Sequence, residues 1–94
     1  MSPTFSQRAS VPENVLFREL DGEAVILDLE RESYYGLDDV GTRMWLAVTE
    51  AESIEAALAS LQREYDVDDD TVRADLAELL DRLVERGLIE LSDG

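Results

Sequence analysis

Asn14-Val15-Leu16-Phe17-Arg18-Glu19-Leu20-Asp21-Gly22-Glu23-Ala24-Val25-Ile26-Leu27-Asp28 decides the fold. Two apolar-rich runs flank Asp21-Gly22, a dipeptide that favours the positive backbone angles of a two-residue type I′ hairpin. The stretch therefore predicts strands at Val15–Leu20 and Glu23–Asp28. A two-residue turn fixes the register, pairing Phe17 with Ile26 on one face and Leu16 with Leu27 on the other. Both faces are then partly apolar. One is expected to carry helices and the other to be covered by the N-terminal segment or by a partner.

Working outward, Glu30-Arg31-Glu32 reads as a turn and Ser33-Tyr34-Tyr35-Gly36-Leu37 as a third strand, from its paired aromatics. Strands joined by short loops usually pair antiparallel, so the third strand is expected at an edge with one free side. Alternation puts Tyr34 and Tyr35 on opposite faces, one inward and one near the surface. Upstream, residues 1–12 are polar and hold both prolines, which reads as a flexible tail before a domain at 13–92.

Downstream the period changes to that of helices. Asp38 or Asp39 can cap a helix through Val40, Met44 and Val48, with Trp45 on the adjoining face. Ser53 precedes a second stripe of Ile54, Ala57, Leu58, Leu61 and Tyr65. A third stripe of Val72, Leu76, Leu79, Leu80, Leu83 and Val84 has acids in its first turn and Arg82 and Arg86 in its last. Gly87 is placed to end it in the left-handed conformation. Leu88-Ile89-Glu90-Leu91 could add a short strand. The expected architecture is α+β and winged helix-turn-helix-like: a three-stranded antiparallel sheet followed by three helices.

Composition narrows the chemistry. The 94 residues hold 23 acids and 8 basic residues, all Arg, for a net charge of −15, with no His, Cys or Lys. Imidazole bases, thiolate nucleophiles or zinc ligands, Schiff-base lysines and P-loop lysines are thereby excluded, so no enzyme and no cofactor is expected. Residues 66–70 offer the Asp66, Asp68, Asp70 spacing of a calcium loop. Counting from Asp66, however, Thr71 stands where such a loop needs Gly and Ala77 where it needs a bidentate Glu. The acids read instead as a solvated helix N-terminus, and no metal is expected. An acidic domain is repelled by nucleic acid and by anionic membranes. The apolar runs are too short for a span, which needs roughly 20 residues, and the first dozen residues form no signal peptide. A cytoplasmic protein with no nucleic-acid or membrane partner is expected.

Protein or peptide binding remains, and the edge strand supplies a way to do it. An extended peptide can add a strand beside Ser33, Tyr34, Tyr35 and Gly36, with side chains entering a groove formed with the third helix. Pocket walls are expected from Val72, Leu76 and Leu79, and steering of a basic, partly apolar peptide from Asp69, Asp75 and Glu78.

The segment Glu32-Ser33-Tyr34-Tyr35-Gly36-Leu37-Asp38-Asp39-Val40-Gly41-Thr42-Arg43-Met44-Trp45 resembles the PqqD-like family, which commonly reads Tyr-Tyr-x-Leu-Asn, then Gly, then an apolar residue and Trp. Asp38 stands where the family often has Asn, and it keeps the capping chemistry. The resemblance spans about residues 12–92. It implies a precursor-peptide recognition element of ribosomally synthesised, post-translationally modified peptide pathways, binding a leader peptide by strand addition at the third strand beside the third helix. On this chain those elements are Ser33 to Gly36 and about Thr71 to Leu83, with Glu32, just before the strand, also expected to contact the peptide. The resemblance further implies the leader-binding half of a split lasso-peptide B protein, partnered by a leader peptidase and a cyclase. Two alternatives stay open: a PqqD-type peptide chaperone for a radical-enzyme pathway, and an acidic structural or partner subunit with no peptide groove.

Overall fold

A computed structural model describes residues 7–65 and 67–93. The chain runs β1 (Gln7–Ser10), β2 (Val15–Leu20), β3 (Glu23–Asp28), β4 (Ser33–Leu37), α1 (Asp39–Glu50), α2 (Ile54–Glu64), α3 (Asp69–Glu85) and β5 (Glu90–Asp93). The hairpin forms as read. Leu20 pairs with Glu23 across Asp21 (φ 55°) and Gly22 (φ 85°), and Phe17 lies opposite Ile26 and Leu16 opposite Leu27. The β2-β3-β4 sheet is antiparallel throughout, with β4, the third strand of the sequence reading, at one margin.

The N-terminal segment differs from expectation. Within residues 1–12, read as a flexible tail, Gln7–Ser10 form β1, which pairs antiparallel with β5 from Gln7↔Asp93 to Ser10↔Glu90. Ala9 is buried in the core. A four-residue polar run such as QRAS has too little apolar pattern to announce a strand; its partner, 80 positions later, supplies the ladder. Residues 1–6, including Phe5, lie outside the described residues, as does Asp66 of the acidic run. Among the described residues no His/Cys/Asp/Glu cluster is arranged to hold a metal, and no helix is long and apolar enough to cross a membrane.

The helices pack on the face of the sheet bearing Val15, Ala24, Ile26 and Leu37, and the core is completed by Met44, Trp45, Val48, Ile54, Leu58, Leu61, Val72, Leu76, Leu80, Leu83 and Ile89. Phe17 stacks on Trp45 with centroids 5.6 Å apart, joining sheet to α1. Helix ends follow the capping chemistry. The Asp38 carboxylate accepts from Gly41 N–H (2.7 Å) and Ser53 Oγ from Ala56 N–H (3.1 Å). Gly87 (φ 72°) ends α3 in a Schellman motif: Leu88 N–H donates to Leu83 carbonyl (2.9 Å) and Gly87 N–H to Val84 carbonyl (3.0 Å).

Candidate functional site

The hairpin register settles which backbone groups of β4 face outward. A two-residue turn makes Leu20↔Glu23 a hydrogen-bonded pair, and antiparallel pairs alternate from there. Glu23, Val25 and Leu27 thus spend their N–H and C=O groups on β2, leaving Ala24, Ile26 and Asp28 to bond β4. Their partners are Leu37, Tyr35 and Ser33. By the same alternation Tyr34 and Gly36 direct their N–H and C=O groups away from the sheet, along a margin with no strand partner among the described residues. β1 pairs with β5 instead.

Both ends of β4 are pinned. At its start the buried Asp28 carboxylate (3% exposed) accepts from Asn14 Nδ2 (2.9 Å), Glu30 N–H (3.1 Å) and Arg31 N–H (3.2 Å). Burial pushes its pKa up, but the Arg31 backbone, the Asn14 amide, the Glu30 backbone and the Arg31 charge together outweigh burial and hold it below the ordinary carboxylate value. Glu32 completes this turn in the left-handed region (φ 55°). At the other end Asp38 caps α1.

α3 runs beside the margin on the helix side of the sheet. The Arg86 guanidinium lies over the Tyr35 ring, 5.0 Å from its centroid. Arg31 Nη1 donates to Arg86 carbonyl (3.0 Å), tying the turn before β4 to the end of α3. Toward the other end of β4, a hollow of about 230 Å³ opens between α3 and the start of α1, lined by Asp38, Val40, Gly41, Met44, Asp75, Glu78, Leu79 and Arg82. Glu78 is paired with Arg82.

Of the residues expected at the site, Ser33, Tyr34, Tyr35 and Gly36 form the margin, with Glu32 in the turn before it and Asp75 and Leu79 beside it. Val72 and Leu76 are different: they are 3% and 0% exposed and belong to the core, so they support the groove from beneath and present no wall. Asp69 lies in the first turn of α3, where its carbonyl accepts from Gln62 on α2, away from the hollow. The sequence reading missed Arg82 and Arg86 as site residues, along with Val40 and Met44. The signal was present: Asp75, Leu79, Arg82 and Arg86 recur at spacings of four, three and four on one helix face.

Among the described residues the opposite face of the sheet is apolar and uncovered. Leu20 is 77% and Tyr34 73% exposed, and Leu16 and Val25 are partly so. A hollow of about 600 Å³ there is lined by Arg18, Leu20, Glu23, Ala24, Val25, Gly36, Leu37 and Asp38. Of the N-terminal segment, expected as one possible cover for this face, Gln7–Ser10 pair with β5, and residues 1–6 lie outside the described residues.

A winged-helix-like α+β domain with a strand margin unpaired among the described residues and flanked by a helix has the geometry that can accept a strand from outside. Residues 23–89 match the family described as Coenzyme PQQ synthesis protein D (PqqD), and the chain belongs to that family. Its fold is that of the PqqD-like recognition elements. The solved structure "TbiB1 in Complex with the TbiA(beta) Leader Peptide" is 34% identical, with 86% of this chain and 94% of that one covered at a TM-score of 0.79. "Lasso peptide synthetase B1 complexed with the leader peptide" is 22% identical, over 90% and 98% of the two chains at a TM-score of 0.76, and shares the fold. No curated protein sequence shows a significant match.

Proposed function

We propose that this chain binds the leader segment of a ribosomally made precursor peptide as a fourth strand beside β4, without catalysing a reaction. It would present that peptide to a separate leader peptidase and cyclase in the cytoplasm, as the leader-binding half of a split lasso-peptide B protein. The observation that carries the reading is the margin at Tyr34 and Gly36, unpaired among the described residues, pinned by hydrogen bonds at both ends and flanked by α3. The 34%-identical TbiB1, solved in complex with the TbiA(beta) leader peptide, supports it.

Magnitudes show what else the site must provide. Two outward residues offer four backbone groups, and net hydrogen bonds contribute about 0.5–1.5 kcal/mol each. Ordering each peptide residue costs about 1–2 kcal/mol, so a four- or five-residue strand with four such bonds falls a few kcal/mol short on its backbone alone. The surplus has to come from apolar side chains at about 1.5–3 kcal/mol apiece when fully buried. Leu79 and Val40 offer such a surface on one face of the added strand, and Val25 and Tyr34 on the other.

Titration of a fluorescent leader peptide, encoded by the precursor reading frame beside this gene, tests the proposal. Saturable binding at low micromolar concentration that a scrambled peptide does not compete supports it, and no binding at several hundred micromolar refutes it. The open apolar face of the sheet favours a second reading, an acidic partner subunit that assembles through that face. A chain that ignores leader peptides yet forms a stable complex lost on Leu20→Asp would establish it.

A further inference from the structure

The groove beside β4 is charged in opposite senses at its two ends. In a chain of net charge −15, the start of β4 meets Arg31 and Arg86, while its end meets Asp38, Asp75 and Glu78. Several of these charges are already occupied. Arg31 is held by Asp28 and the Arg86 carbonyl, Glu78 by Arg82, and one Asp38 oxygen by the α1 cap. Two are not. Among the described residues Arg86 joins no carboxylate, although the second half of the chain has fourteen acids, and Asp75 joins no cation. Arg86 is instead positioned by stacking on Tyr35, which leaves the edge of a planar guanidinium available to a carboxylate.

Strand geometry converts this into a pattern. Side chains of an added strand that lie opposite Ser33, Tyr35 and Leu37 fall on the helix side of the sheet, the side of α3. Ser33 and Leu37 are four residues apart, about 13 Å at some 3.3 Å per residue, which exceeds the screening length of about 8 Å at physiological ionic strength. The two ends are therefore read separately. Resting on the strand-addition reading above, we propose that Arg86 and Asp75 are specificity-determining residues that select charge order in the peptide. The preferred peptide places an acidic side chain on the helix side near Ser33 and Tyr35, and a basic one two to four residues away near Leu37. Charge order then also sets strand direction, because reversing the peptide puts like charges together at both ends. This replaces the expectation of a simply basic peptide.

A displayed library of random twelve-residue peptides, selected on the immobilised full chain, provides the test. The expected pool carries an acid and a base in one fixed order, two to four positions apart. Replacing the acid of an enriched peptide by Arg is expected to weaken binding at least tenfold. Selection on Arg86→Glu is expected to exchange the acid for a base, a gain that misfolding cannot mimic, and Asp75→Arg to exchange the base for an acid. Enriched peptides that lose binding on Tyr34→Pro, yet keep the same acid against Arg86→Glu or show no charge order, would overturn the inference and leave strand addition standing. Enriched peptides indifferent to Tyr34→Pro would overturn strand addition itself.

Discussion

Proline substitution along β4 separates the backbone's two jobs. Tyr34 directs its N–H to the open margin and Tyr35 directs its own into the ladder with Ile26, so the two neighbouring replacements are expected to fail in opposite ways. In the unbound protein Tyr34→Pro loses no ladder bond and only a side chain that is 73% exposed, so its stability should fall by about 1 kcal/mol or less. For binding it removes a donor to the peptide strand, about 0.5–1.5 kcal/mol, and sets a ring where the incoming chain must approach. Together these predict a loss of about 2–3 kcal/mol, a 30- to 150-fold rise in Kd. Tyr35→Pro instead breaks a bond inside the sheet and discards a half-buried ring under Arg86, and about 3 kcal/mol of stability should go with it. Fluorescence anisotropy with the leader peptide gives the Kd and thermal or urea unfolding gives the stability. Tyr34→Ala, which keeps the N–H, reports what the ring alone contributes. A Tyr34→Pro protein that is stable and binds as tightly as the parent would refute strand addition at this margin. One that unfolds would show that the outward assignment of Tyr34 is wrong.

Three further substitutions probe the frame that holds the margin. Thr42 is 1% exposed and its hydroxyl has no hydrogen-bond partner among the described residues, so Thr42→Val, nearly the same shape, should raise stability by about 1 kcal/mol, visible as a higher Tm. Gly87→Ala should cost about 1–2 kcal/mol through its left-handed backbone alone, since the added methyl meets only Arg31 at ordinary contact distance; an unchanged urea midpoint would contradict the Schellman assignment. Asp28, with its folded pKa held below 3.8, contributes stability that is fully present above the unfolded value and lost as pH falls through the folded one. Acid titration should therefore show the stability difference between the parent and Asp28→Asn shrinking below about pH 4. A difference that stays constant to pH 2 would mean the charge of Asp28 is not what pins the turn.

The local parts of this fold were legible because each is set by chemistry a few residues long. Asp21-Gly22 dictated the hairpin and with it the register of Phe17, Ile26, Leu16 and Leu27; Asp38, Ser53 and Gly87 marked helix ends that the structure places there. β1 was illegible because QRAS has no pattern of its own, its ladder coming from β5 at the far end of the chain. At the site, the margin could be read from strand order, but the walls could not. Val72 and Leu76 share the helical stripe of Leu79, and the stripe alone does not say where the core ends and the groove begins; the tertiary packing decides that, burying the first two and leaving Leu79 partly exposed at the hollow. Arg82 and Arg86 were read for their place at a helix C-terminus, where cations favour the dipole, and that local reason concealed Arg86 over the Tyr35 ring and Arg82 in the hollow beside α1.

The same pinning that exposes the margin also makes it usable. An open strand edge is a hazard in most proteins, since any extended chain can pair with it. Here the outward stretch is only five residues long, stopped at one side by the Asp28 turn with Glu32 in a left-handed conformation, and at the other by the α1 cap. A longer or floppier edge would pair promiscuously and would be ordered only at the moment of binding. A short one already held by β3 leaves the ordering cost to the peptide alone. Backbone pairing over so few residues does no better than break even, so affinity falls to the side chains on either face, which are where sequence can be read. On the proposed reading, rigidity of β4 and selectivity of its flanks are one requirement: the margin would supply the register, and Leu79, Arg86 and Asp75 would decide which sequence is held in it.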